Sequence, residues 1–164
     1  MLTFARAEGS DGDAVLALYR ACMQSPFTHW QLEYPSRAEI DADLVSRELW
    51  LLREDGALAG AASLLRTDDV EELGFPYRTP APACVLGRFC LHPSFQGRGL
   101  AKTLLRFAER EARAEGYASM HLLCAVDNPI TRSLYEGAGY HHVADAELYD
   151  LSWLVYEKAL PDVE

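Results

Sequence analysis

No stretch of this 164-residue chain approaches the roughly 18 consecutive apolar residues of a membrane span, so no transmembrane segment and no membrane partner is expected. Positive charge is scarce. Fifteen Lys and Arg stand against 25 Asp and Glu, a formal net charge of −10. General nucleic-acid binding needs a basic surface, so nucleic acid is not an expected partner. The acidic balance serves solubility and, weakly, the long-range steering of a cationic substrate. Cysteine is sparse too: Cys22, Cys84, Cys90 and Cys124 share no short metal-type spacing, and no metal site is expected. Three of them lie in apolar, strand-like runs, which favours buried free thiols over disulfides. Met1 to Arg6 show no basic segment followed by an apolar core, so the expectation is a cytoplasmic protein without a secretory signal. What is present is ordinary for one globular domain over residues 1–164, with 49% hydrophobic and 24% charged residues.

Periodicity gives an element order. Leu2 to Arg6 alternates like a short strand. Val15, Leu18 and Cys22 take a helical spacing after the cap candidates Ser10 to Asp13. Ser36 with Glu39 three residues on forms a capping-box pattern for a second helix, reaching to Glu48. Leu49–Arg53 and Ala57–Leu65 read as strands joined by an Asp55-Gly56 hairpin turn. A long irregular stretch, Thr67 to Ala83, follows; loops of this length in a compact domain carry function or move. Cys84 to His92 is a fourth strand, stopped by Pro93. A helix over about Gly99 to Glu115 places Ala101, Leu104, Leu105, Ala108 and Ala112 on one face, with Arg98, Lys102, Arg106 and Arg110 on another. Ser119–Val126 is almost uniformly apolar, a strand with both faces covered. A helix over Ile130–Gly137 and two strands complete the chain: one over Tyr140–Val143, with Glu147 as its alternative end, and one over Ser152–Lys158. The order β-α-α-β-β-β-α-β-α-β-β describes an α/β domain, a mixed twisted sheet flanked by helices.

The most informative stretch is Gln96-Gly97-Arg98-Gly99-Leu100-Ala101, between the fourth strand and the long helix. Two glycines and unpaired backbone N–H groups at a helix start form a site for a phosphate or pyrophosphate. A P-loop is excluded, because no Gly-Lys-Ser/Thr follows at the right spacing. A dinucleotide fingerprint fails as well, since Lys102 stands where its third small residue belongs.

Gln96-x-x-Gly99-x-Ala101 after Leu91-His92-Pro93, together with Asn128, Leu134-Tyr135 and Gly139-Tyr140, resembles the GNAT superfamily of acyl-CoA-dependent N-acyltransferases. The close resemblance spans about Cys84 to Tyr140, with two signatures at matching separation. It implies that the fourth and fifth strands splay and that the pantetheine arm of acetyl-CoA, the co-substrate, pairs with the fourth strand. Backbone groups near Phe89 and Leu91 would make those bonds, and an N–H near Leu91 would polarise the thioester carbonyl. The pyrophosphate would rest on the amides of Gln96, Gly97, Arg98, Gly99, Leu100, Ala101 and Lys102. Arg98 and Lys102 either add charge there or form a solvated helix face. Asn128 would bond the pantetheine arm, cap a helix, or do both. Tyr135 aligns with the family's general acid, which protonates the departing thiolate.

The resemblance gives no base. Where many members carry a glutamate on the fourth strand, this chain has approximately Val85. Glu71, Glu72, His29, Glu33 or a water chain are the alternatives, and an amine of lowered pKa needs none. Phe27, Thr28, His29, Trp30 and Tyr34 cluster in the first helix–helix connection, where aromatics stack on an acceptor or close the core. No nucleophile is placed by motif; Cys90 reads as buried. The expected reaction is direct attack of a small-molecule or peptide primary amine on acetyl-CoA. The rivals are a non-catalytic acyl-CoA binding or sensing module, and an enzyme using another acyl chain or a hydroxyl acceptor. Family members often pair through late strands, which implies a homodimer.

Overall fold

Eleven helices and strands follow one another in the expected order: β1 (Leu2–Arg6), α1 (Gly12–Cys22), α2 (Arg37–Ser46), β2 (Leu49–Glu54), β3 (Ala57–Leu65), β4 (Ala83–Leu91), α3 (Leu100–Ala114), β5 (Ser119–Ala125), α4 (Pro129–Gly137), β6 (His141–Leu148) and β7 (Leu151–Ala159). The structure is a computed structural model that describes residues 1–162. Its contacts form two compact units. One holds Met1–Leu64 with Gly87–Ala108, and the other holds Leu65–Leu86 with the chain from Glu109 onward.

In the first unit the strands run β1-β2-β3-β4. β1 and β2 pair antiparallel from Leu2↔Glu54 to Arg6↔Trp50. The Asp55-Gly56 turn takes the expected left-handed geometry, with φ of 51° and 87°. α1 turns Val15, Leu18, Tyr19 and Cys22 onto a core with Ile40 of α2, Leu49 and Leu51 of β2, Ala61 of β3 and Cys90 of β4. α2 starts on the expected capping box, Ser36 with Glu39. Phe4 stacks on Trp50 and on Phe107, at ring separations of 5.3 and 5.4 Å. At Gly60 a Cβ would stand 2.7 Å from the carbonyl oxygen of Cys90, so β3 carries glycine where the β4 backbone comes close.

A charged cluster lies beside this core. Arg88, at φ 44°, sends its guanidinium onto Asp43, Nε to Oδ2 at 3.0 Å and Nη2 to Oδ1 at 2.8 Å. Ser63 Oγ donates to the same carboxylate at 2.7 Å. Arg88 Nη1 also donates to the Tyr34 hydroxyl at 3.1 Å. A bidentate pair with an added hydroxyl satisfies most of what a buried carboxylate needs.

In the second unit the strands run β4-β5-β7-β6. β4 pairs parallel with β5 from Ala83↔Ser119 to Val85↔His121. β5 and β7 pair antiparallel from Ser119↔Ala159 to Ala125↔Trp153, and β6 closes the order against β7. β6 takes the extension toward Glu147 and runs to Leu148, because its ladder to β7 continues to Leu148↔Leu151. Glu109 is buried and paired with Lys158 Nζ at 3.0 Å, and the Tyr140 hydroxyl donates to it at 2.7 Å. The stretch from residue 66 to 82 is not wholly irregular. Asp68 accepts from the amides of Val70 and Glu71, both at 3.0 Å, and opens a short 3-10 turn over Glu71–Leu73. All four cysteines are free and buried, Cys84, Cys90 and Cys124 within the apolar runs expected to bury them.

Candidate active site

The end of β4 and the turn behind it belong to the first unit. Pro93–Phe95 form a 3-10 turn capped by His92, whose Nδ1 accepts from Ser94 N at 3.1 Å. Gly97 and Gly99 then take φ of 79° and 76°, where an L side chain is strained. Nothing lies within 4 Å of a Cβ built on either glycine. The need for glycine is therefore conformational, and the space above the turn is open. Residues 96–99 are exposed, and α3 begins at Leu100 with its dipole and first amides directed into that space. This arrangement fits a pyrophosphate: Gly97 to Lys102 would hold it through main-chain nitrogens.

Two residues of the expected set carry other bonds. Gln96 N donates to Pro93 O at 3.3 Å, and its Nε2 donates to Leu91 O at 3.2 Å. Gln96 thus closes the turn with its backbone N–H and ties it to the strand end with its side chain. Arg98 forms a two-pronged pair with Glu54, at 2.8 and 2.6 Å, and its guanidinium lies over Phe95. Arg98 holds the Glu54 carboxyl below the usual carboxylate range. Lys102 is exposed.

Leu91 and Phe89 stand on the last turn of strand before the glycines. Leu91 O also accepts from Cys22 Sγ at 3.3 Å, and His92 N donates to Ala59 O at 2.7 Å, so the strand end is fastened on several sides. The neighbouring Cys90 thiol is pushed well up by burial and then by Cys22, which makes it a poor nucleophile. Trp30 packs edge-on against Tyr19 at 5.2 Å and joins the core, while Tyr34 is exposed and bonded to Arg88. Of the alternatives for that aromatic cluster, Trp30 closes the core.

Asn128 and Tyr135 belong to the second unit. Asn128 caps α4, its side chain accepting from Thr131 N at 3.1 Å, with Pro129 at the first helical position. Tyr135 is 5% exposed and meets Tyr140 edge-on at 5.7 Å. Burial first, and then Cys124, push its hydroxyl above its ordinary value. The hydroxyl therefore stays protonated at neutral pH and is a weaker acid than a solvated phenol.

The same unit holds a second polar cluster. His121 Nδ1 lies 2.8 Å from Glu71 Oε1, and the Tyr77 ring stacks on the imidazole at 3.5 Å with an 8° tilt. Glu157 accepts from Arg78 N at 3.0 and 2.9 Å, from Thr79 N at 3.3 Å and from Thr79 Oγ1 at 3.2 Å. A cavity of about 430 Å³ is lined by Pro76, Arg78, His141, His142, Val143 and Glu157. Among the four other acceptors considered for a proton, Glu71 is thus committed to His121, whereas Glu72 and Glu33 are exposed. His121, Arg88 and Glu157 were not foreseen as site residues. A lone histidine inside the apolar run Met120 to Ala125 was the available signal for the first. Among the described residues no group of three or more His, Cys, Asp or Glu is arranged to hold a metal ion, and no helix is long and apolar enough to cross a membrane.

Residues 13–140 match the model of the acetyltransferase (GNAT) family. The chain belongs to this family. Solved structures agree at the level of the fold. A GNAT-family acetyltransferase of Streptococcus agalactiae superposes with a TM-score of 0.83 at 21% identity, covering 98% of this chain and 96% of that one. The protein yncA of Salmonella typhimurium, solved with its cofactor acetyl-CoA, gives 0.76 at 18% identity over 100% and 96% of the two chains. The PaiA N-acetyltransferase of Thermoplasma acidophilum, solved with coenzyme A, gives 0.75 at 18% identity over 97% and 99%. The GNAT match includes β4, the glycine turn, Asn128 and Tyr135, and ends before Glu157.

Proposed function

We propose that this GNAT protein transfers the acetyl group of acetyl-CoA to a primary amine of a small molecule or peptide, by direct attack in a ternary complex. The observation that carries the reading is the exposed turn at Gly97 and Gly99, open above both glycines and running into the N-terminus of α3. Relatives of the same fold were solved with acetyl-CoA and with coenzyme A, which supports the choice of ligand.

In this reading Gly97 to Lys102 bind the pyrophosphate through their amides, each such charge-assisted bond contributing about 1.5–3 kcal/mol. Three or four of them supply much of the roughly 8 kcal/mol behind micromolar affinity, before association costs. Backbone groups at Phe89 and Leu91 bond the pantetheine arm, and an N–H near Leu91 stabilises the oxyanion of the tetrahedral intermediate. Asn128 contributes its amide N–H groups to the pantetheine arm while its oxygen caps α4. Tyr135 gives its proton to the departing thiolate.

Calorimetry with acetyl-CoA and coenzyme A, followed by an amine-panel screen read by CoA release, tests this. Saturable binding with amine-dependent release is the expected result. Binding without turnover would make the chain an acyl-CoA sensing module. Turnover with a longer acyl chain or a hydroxyl acceptor would move it to another transferase activity. No saturation at millimolar ligand would overturn the assignment.

A further inference from the structure

The three acids buried among the described residues are not held alike. Asp43 is neutralised by Arg88, and Glu109 by Lys158. Glu157 is as buried, at 6% exposure, yet it accepts from the neutral donors Arg78 N, Thr79 N and Thr79 Oγ1. Among the described residues it forms no ion pair within 4.0 Å. A buried carboxyl held by neutral N–H and O–H donors has no counter-charge of its own, which makes it a partner for a cation. It also lines the 430 Å³ cavity.

Register places a histidine directly beside it. Val85↔His121, His121↔Glu157 and His141↔Glu157 are partners across four strands, so their side chains leave one face of the sheet in a single row. His121 is 5% exposed, and its Nδ1 faces the Glu71 carboxylate at 2.8 Å. A carboxylate on Nδ1 makes that nitrogen the donor and leaves the lone pair on Nε2. The groups that face this imidazole are Glu71 and Tyr77 from the stretch before β4, Val85 from β4 and Glu157 from β7; Arg78 and His141 border Glu157.

We propose that His121 is the general base for the acceptor amine, with Glu71 as its positioning residue, and that the ammonium form of the acceptor is drawn to the cavity by Glu157. This rests on the amine-acetylation reading above. His121 Nε2 takes a proton from the ammonium nitrogen. The freed lone pair forms the C–N bond, the C–S bond breaks as the carbonyl reforms, and the thiolate takes the Tyr135 proton. The second nitrogen proton restores the tyrosine through solvent, and His121 returns its own proton to water.

The test is kcat/KM for CoA release against pH, with a primary alkylamine found active in the screen. The wild type should rise on an enzyme group between about pH 6 and 9. His121→Asn keeps a donor where Nδ1 faces Glu71 and removes Nε2. It should lose about a hundredfold in kcat/KM at neutral pH and replace that limb with a rise that follows the neutral fraction of the amine. Glu71→Gln should shift the limb, which a purely structural contact would not do. Glu157→Gln should raise KM for the cationic acceptor about tenfold and keep the limb. A folded His121→Asn protein whose profile superposes on the wild type overturns the proposal and leaves the acetyltransferase reading standing. So does a wild-type profile with no enzyme group in that range, a result independent of how any variant folds. An unchanged KM in Glu157→Gln overturns the part assigned to Glu157. A wild type that binds acetyl-CoA but acetylates no amine overturns both.

Discussion

The turn at residues 96–102 and the cluster around His121 achieve polarity by opposite means. The turn is main chain: two left-handed glycines and the first amides of α3, with the side chains of Gln96 and Arg98 already engaged elsewhere. The cluster is side chain: His121 and Glu157, buried on one sheet face, with the half-buried Glu71 and Tyr77 against His121. A backbone site tolerates side-chain replacement and fails when its φ angles change. A side-chain site behaves in the reverse way, because each group's protonation state depends on its neighbours. The largest expected effect is on the side-chain side. Tyr135→Phe should lower kcat by about 10²–10⁴-fold, the range of a lost general acid, while calorimetry finds acetyl-CoA affinity nearly unchanged. An unaltered kcat removes Tyr135 from the chemistry.

Gly99→Val should give the next effect, and it falls on binding. A β-branched residue at φ 76° is strained by about 1–3 kcal/mol, so the turn opens or shifts and the amides lose their common aim. The acetyl-CoA Kd should rise about tenfold to a hundredfold, with KM for the amine unaffected. An unchanged Kd would mean that the main chain at this turn is not what holds the ligand.

The same contrast explains what could be read in the sequence. The glycine turn, the Asp55-Gly56 hairpin and the Ser36–Glu39 capping box are local, and each appears where its residues predict it. The element order follows for the same reason, since periodicity is a property of a dozen neighbouring residues. The side-chain clusters join distant positions: Asp43 to Arg88, Glu71 to His121, and Arg78 to Glu157. No spacing rule links residues 45, 50 or 79 positions apart. Only the packing of helix and loop onto the sheet does so, and a one-residue slip of β5 would turn His121 to the opposite face. Glu71 entered the reading as one of several acids in a long loop, and its partner was hidden inside a strand that looked uniformly apolar.

Buried tyrosines sharpen the comparison through pH. Tyr19, Tyr135 and Tyr140 are all pushed above the ordinary tyrosine value, with burial the first cause in each. Their folded-state values lie above the unfolded value of about 10, so above that pH the folded state holds more protons than the unfolded chain. The stability they contribute is complete below about pH 10 and is lost as pH rises through the folded values. Each group should cost about 1 kcal/mol per pH unit in that window, and thermal unfolding between pH 8 and 11 measures it. Tyr19→Phe and Tyr135→Phe should each make the decline shallower. A decline of equal slope in both variants would place the titration elsewhere.

The smallest effect is expected where charge alone would suggest a large one. Arg98 is a cation within the turn, yet its guanidinium is exposed and paired with Glu54. Exposed pairs of this kind are screened by salt and contribute little. Arg98→Ala should leave the melting temperature where it is and raise the acetyl-CoA Kd about threefold at low salt, with the difference vanishing at high salt. If Arg98→Ala instead weakens binding more than Gly99→Val does, the ordering reverses. The pyrophosphate would then be held by a side-chain charge released from Glu54, and the glycines would serve only to turn the chain.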